Sequence, residues 1–142
     1  MAAISAHGTI LKAGDAANNV EDIANVTSIS GPGLTLETID VTNHSSASNW
    51  REFIGGLKDG GEVNIDISYE PAGATHKNAA GGLLYFLTTR AIAYFSLTFP
   101  NTGVNTVWSF TALVASFEPS IAVGDALTAS VTLKITGAPV LL

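Results

Sequence analysis

The sequence predicts a mainly β domain of the α+β class, a β-sandwich or barrel-like fold carrying one or two short helices. Three stretches carry that prediction. Residues 62–70, "EVNIDISYE", alternate without interruption: Val63, Ile65, Ile67 and Tyr69 fall on one side, and Asn64, Asp66, Ser68 and Glu70 on the other. This is the period-two pattern of a half-buried strand. Residues 126–136 repeat it, with Val131, Leu133 and Ile135 set against Thr132, Lys134 and Thr136. Between Arg90 and Glu118 no formal charge occurs, and "PNTG" at 100–103 separates two runs rich in β-branched and aromatic residues. A membrane helix needs about 20 uninterrupted apolar residues. Pro100 and Gly103 break this one, so a hairpin over 91–99 and 104–118 is expected instead.

The remaining elements follow in order. A short strand is expected around Gly8 to Lys12, and a second at "IANVTSI", 23–29. "SGPG" at 30–33 turns the chain into "LTLETIDVT", where Leu34 and Leu36 share a face but Ile39 and Val41 take the other. That change of phase predicts a bulge near Glu37 and Thr38. "NHSSASN" at 43–49 reads as a polar loop. Asn49 then stands as an N-cap with Glu52 three residues on, and Trp50, Phe53, Ile54 and Leu57 follow helical i, i+3, i+4, i+7 spacing. A core helix is expected there, ended by Gly55 and Gly56. "KDGG" supplies a tight turn, and "PAGATHKN" a loop. "AAGGLLYFLTTR" at 79–90 predicts a second helix with Ala80, Leu83, Leu84 and Leu87 on one stripe, weakened at its start by Gly81 and Gly82. The total is roughly seven strands in a single domain, 1–142, with flexible arms at about 1–7 and 138–142.

Composition limits what such a domain does. Charged residues make up 13% of the 142, against roughly 25% in an ordinary soluble domain. A surface so poor in charge is suited to being covered by partners. The net charge is −6, and Lys12, Arg51, Lys58, Lys77, Arg90 and Lys134 stand singly, which argues against tight nucleic-acid binding. With no cysteine there is neither a disulfide framework nor a thiolate metal site. His7, His44 and His76 are isolated in loops or termini without a second ligand at metal spacing, and read as solvated. No nucleophile elbow and no phosphate-binding loop is present. Asp66 and Glu70 share a strand face with Asn64 and Ser68; a cation site or glycosidase cleft is conceivable there, but a wet outward face explains them better. No cofactor and no enzymatic activity is expected.

The stretch "SISGPGLTLETIDVTNH…NWREFIGGLKDGGEVNIDISYEP", followed by "LTFPN", "WSFTALVASFEPS" and "VGDALTASVTLKITG", resembles the tail tube (major tail) protein of long-tailed, non-contractile bacteriophages. The resemblance runs from about residue 20 to the end. It implies a β-sandwich with a packed helix, whose copies form hexameric rings. Strands from six copies would join a ring-wide β-barrel, and rings would stack into a tube through which DNA is ejected. The implied partners are further copies of the chain, a tape-measure protein, and tail-tip and tail-terminator proteins. DNA would pass without specific binding, and the protein would be assembled in the host cytoplasm and reside in the virion tail. A ring of six such chains would carry about −36, and acids facing a lumen would repel phosphate.

On that basis Glu37, Asp40, Asp66, Glu70 and Glu118 are candidates for a lumen or polar face. His44, Ser45, Ser46, His76 and Lys77 are candidates for ring-stacking loops, and Trp50, Phe53 and Ile54 for a core helix. Two other readings remain: the tube of a contractile or secretion-related injection machine, and a carbohydrate-binding sandwich using Trp108 and Tyr94.

Overall fold

A computed structural model describes residues 3–16, 19–100 and 106–141. Nine strands and one α-helix form among them: β1 Ile10–Ala16, β2 Asn19–Asp22, β3 Val26–Ser30, β4 Thr35–Asp40, β5 Phe53–Asp59, β6 Glu62–Ser68, α1 Leu83–Thr89, β7 Ala93–Phe99, β8 Thr106–Ser120 and β9 Thr128–Leu141. Seven strands make one antiparallel sheet in the order β2-β1-β7-β8-β9-β6-β3, while β4 and β5 pair only with each other.

This order forces the large sheet to roll up. Its edge strands, β2 and β3, are consecutive in the chain and joined by residues 23–25 alone. A flat sheet of seven strands would hold its edges about 29 Å apart. The link from Asp22 to Val26 reaches at most about 14 Å. The edges must therefore curl toward each other, enclosing one face of the sheet. That enclosed face is the core: Leu11, Ala13, Val63, Ile65, Ile67, Ala93, Phe95, Leu97, Phe110, Ala112, Val114, Ala129, Val131, Leu133 and Ile135 are all buried. Phe95 and Phe110, opposite each other on β7 and β8, stack with ring centroids 5.6 Å apart. The roll stays open, because β2 and β3 share no ladder.

The alternation over 62–68 holds residue by residue, with Val63, Ile65 and Ile67 inside and Glu62, Asn64 and Asp66 outside. The helix begins at Leu83, later than expected, and buries Leu83 and Phe86 against the core. Ala80 lies outside it, while Leu84 and Leu87 are half-buried. The double glycine is a feature of the approach rather than of the helix. A Cβ on Gly82 would run into the carbonyl of Lys77, so only glycine lets the loop close there. The hairpin of residues 91–118 forms as β7 and β8; its expected turn, 101–105, lies outside the described residues. Of the two arms expected at the ends, Met1, Ala2 and Leu142 also lie outside them. Residues 138–141 continue β9, with Val140 opposite Ser109 and Leu141 opposite Trp108.

The largest departure concerns residues 50–57. They form no helix, and Trp50, Phe53 and Ile54 are not core residues: Phe53–Asp59 is strand β5, paired to β4. Two adjacent glycines in mid-helix cost about 1 kcal/mol each relative to alanine. The β-branched segment "TLETID" meanwhile offers a ladder partner, and that ladder wins. The capping residues go elsewhere. Asn49 adopts a positive φ of 64° after a 3-10 turn at Ala47–Asn49, and Glu52 Oε2 accepts a hydrogen bond from the Ser46 hydroxyl at 2.9 Å. The bulge expected near Glu37 and Thr38 is present, as a register shift between Leu36 and Thr38.

Candidate assembly surfaces

The β4–β5 hairpin continues the β3–β6 ribbon beyond a bend. Ser30 pairs with Asn64 below the bend and Thr35 with Asp59 above it, with "GPG" and "GG" between. Gly61, at φ 73°, lies so close to the Gly33 carbonyl that no side chain fits. A two-stranded ribbon cannot bury its own side chains. Leu36, Ile39, Val41, Phe53 and Ile54 are all exposed, Trp50 is 75% exposed and Leu57 81%. An apolar surface of this extent on a projecting arm is the mark of a contact surface.

The hairpin's tip is held by polar side chains that draw the loop shut. Thr42 N–H donates to Asp40 Oδ1 at 2.9 Å, Glu52 N–H to Thr42 Oγ1 at 2.8 Å, and Ser45 N–H to Asn43 Oδ1 at 2.8 Å. Arg51 Nη1 reaches Asp40 Oδ2 at 3.2 Å. The Thr42 hydroxyl, then its backbone N–H, and to a lesser degree Arg51, hold the Asp40 carboxyl below its ordinary pKa. A carboxylate with a lowered folded-state pKa stabilises above the unfolded value, about 3.9, and loses that contribution as pH falls through the folded value. The tip should therefore loosen in acid. Amide exchange at Thr42, corrected for the intrinsic rate and followed downward from pH 6, should keep its protection through the ordinary carboxylate range and lose it only below that, while Asp40→Ala should lack it throughout. Loss of protection in wild type already above pH 4 would contradict this.

Outside the roll, β3, β6, β9 and β8 present two cross-strand rows. Ser28, Asp66, Ser130 and Glu118 form one; Ser30, Asn64, Thr132 and Ser116 form the next. The Ser130 hydroxyl donates to Asp66 Oδ1 and the Thr132 hydroxyl to Asn64 Oδ1, each at 2.9 Å. Such pairs fix the side chains of a sheet face without burying them. The structure thus brings together two of the five acids named from sequence, Asp66 and Glu118. Glu37 and Asp40 lie apart on the hairpin. Glu70 sits in the loop after β6, where its carboxylate accepts from Asn25 Nδ2 at 3.5 Å.

The loop residues also divide. His44, Ser45 and Ser46 occupy the hairpin tip and His44 and Ser45 are exposed. His76 is fully buried, contrary to the reading of a solvated loop histidine. Its Nδ1 accepts the Glu70 N–H at 3.1 Å, and its Nε2 lies 2.7 Å from the Ala24 carbonyl oxygen. Since a backbone N–H can only donate and a carbonyl can only accept, the ring is neutral with its hydrogen on Nε2. Thr75 Oγ1 takes the Ala24 N–H at 3.1 Å. The 70–82 loop therefore clamps both polar groups of Ala24, in the short link that brings the sheet edges together. Lys77 beside it is half-buried. Of the aromatics considered for sugar binding, Trp108 packs edge-on against Phe99 with centroids 5.1 Å apart, and only Tyr94 is exposed. Among the described residues no cluster of His, Asp and Glu could hold a metal, and no helix is long and apolar enough to cross a membrane.

An open β roll, two unpaired sheet edges, an apolar arm and an ordered polar face define a subunit of a larger β assembly. Residues 4–142 match the family model described as the lambda phage tail tube protein, TTP, and the chain belongs to that family. It is a structural protein of the virion tail rather than an enzyme. No curated protein matches it significantly by sequence. The fold is shared with a chain in the virion of a native gene transfer agent particle, at a TM-score of 0.76 and 17% identity over 99% of both chains. It is shared too with the SPP1 tail tube, at 0.66 and 13% identity, over 94% of this chain and 75% of that one. A chain from the sheath/tube terminator structure of an extracellular contractile injection system is similar at 0.72 and 16% identity, over 100% of this chain and 98% of the other. The fold therefore also occurs in a contractile injection system, while the family match of this chain is to the lambda phage tail tube protein.

Proposed function

We propose that six copies of this chain close a ring by pairing their sheet edges, that rings stack through the β4–β5 hairpin, and that the Asp66–Glu118 face lines the lumen through which DNA passes. The observation that carries this reading is the hairpin itself, an arm with eight large apolar side chains from Leu34 to Leu57 exposed and no core to join. Sixfold rings are supported by the similarity to a gene transfer agent tail with C6 symmetry, at a TM-score of 0.74 and 18% identity. The free edges of β2 and β3 would otherwise be aggregation hazards, and pairing between copies removes them. The same reading puts a tape-measure protein in the lumen during assembly, and tail-tip and terminator proteins at the ends of the tube.

A lumen face needs low friction toward phosphate. Neutral hydroxyls with Asp66 and Glu118 supply hydration and mild repulsion, where unpaired lysines would hold the polyanion; Lys134, in the next row opposite Glu62, is paired with Asp59 at 3.9 Å. Asp66→Lys with Glu118→Lys should leave tube assembly intact and slow DNA ejection by about tenfold or more at low salt, with recovery as salt rises. Glu37→Lys with Asp40→Lys, on the hairpin, should not slow ejection from tails that assemble. Ejection rates measured on purified particles would remove Asp66 and Glu118 from the lumen if the first pair proved silent.

A further inference from the structure

We infer that the β8–β9 loop, residues 121–127, is the seat for the β4–β5 hairpin of a second copy in the adjoining ring. The inference rests on the stacked-ring reading and names the receiving surface that reading lacks.

Val123 is fully exposed and Ile121 is 82% exposed, more than any other large apolar side chain among the described residues. A loop joining two strands needs turn chemistry, which Gly124 provides at φ 92°. Nothing in the fold of the single chain calls for two bare aliphatic side chains there.

Their position follows from register. Thr128, the first residue of β9, pairs with both Ser120 and Ser68, and the Tyr69 N–H donates to the Leu127 carbonyl at 2.9 Å. The loop therefore stands at the Ser68 end of β6. The hairpin departs from the other end, where Ser30 and Glu62 lead into the bend. Seven residues of strand, about 20 Å, separate the two apolar surfaces. A contact between copies that uses one surface at each end is heterologous, and repeated along a single axis it builds the open stack that successive rings require. The contact is carried by apolar side chains rather than by charge, since the hairpin has four acids, Glu37, Asp40, Glu52 and Asp59, against Arg51 and Lys58, and the loop has Asp125. Lateral closure of a ring uses other surfaces, the edges of β2 and β3.

The chain has no cysteine of its own, so cross-linking is clean. Phe53→Cys and Val123→Cys placed in one chain, assembled into tubes on the tail-tip complex and treated with a short bismaleimide, should give a ladder of covalent multimers. Either cysteine alone should give none. Tubes that form but yield no ladder overturn the inference, as does dimer formation by Phe53→Cys alone, since hairpins would then meet hairpins. As a second arm, Ile121→Asp with Val123→Asp should give rings that fail to stack; normal tubes from this variant overturn the inference and leave the tube reading standing. Wild-type protein that forms neither rings nor tubes on the tail-tip complex defeats both.

Discussion

Trp50→Asp combined with Phe53→Asp should leave the single chain as stable as wild type and abolish tube formation. Both side chains are exposed on a ribbon that makes no contribution to the enclosed face of the large sheet. A surface change of this kind alters stability by about 0.5 kcal/mol or less. In an assembled tube each would be buried, at about 2 kcal/mol per side chain, and a carboxylate there would add a desolvation cost. The loss recurs at every copy in a ring, so partial weakening of one contact becomes complete failure of the stack. Circular dichroism melts and electron microscopy read the two effects separately. A variant that unfolds would return these residues to the core; a variant that still forms tubes would take the hairpin out of the stacking contact. Trp50 also serves as a reporter, since its emission should shift to the blue on assembly.

His76→Leu should do the opposite, damaging the single chain before any assembly step. The substitution removes the acceptor for Glu70 N–H and the donor for the Ala24 carbonyl, leaving two part-buried backbone groups without their partner. The expected cost is about 1–3 kcal/mol, or a fall in Tm of about 5–10 °C for a domain of this size. The effect should be local at first, because the clamp holds residues 23–25, the link that brings β2 near β3. Amide exchange should rise in β2 and β3 before it rises in β7 or β8. An unchanged melt would mean that the loop does not govern the closure of the roll.

These two predictions concern the two places where the sequence misleads, and for different physical reasons. Trp50, Phe53, Ile54 and Leu57 satisfy helical spacing by coincidence in and just before strand β5, because an arm that packs on no core of its own chain is free of the inside–outside alternation that betrays β6. Its bulge was nonetheless readable from the phase change between Leu36 and Ile39. His76 is buried by contacts with Ala24, 52 residues away, and no local pattern signals that. By contrast β6, the core half of β9 and the β7–β8 pair were legible because each has one face in a dry core and one in water. The rows that bring Asp66 beside Ser130 and Glu118 depend on strand register across β6, β9 and β8, which periodicity within a single strand cannot supply. The apolar loop at Ile121 and Val123 went unread because exposure, not composition, sets it apart.

The most direct test of the account is electron microscopy of the wild-type chain, purified and concentrated stepwise with and without the tail-tip complex. The account predicts rings of sixfold symmetry stacked into tubes of constant bore, at the latest once the tip complex is added. Chains that remain single in its presence would contradict it.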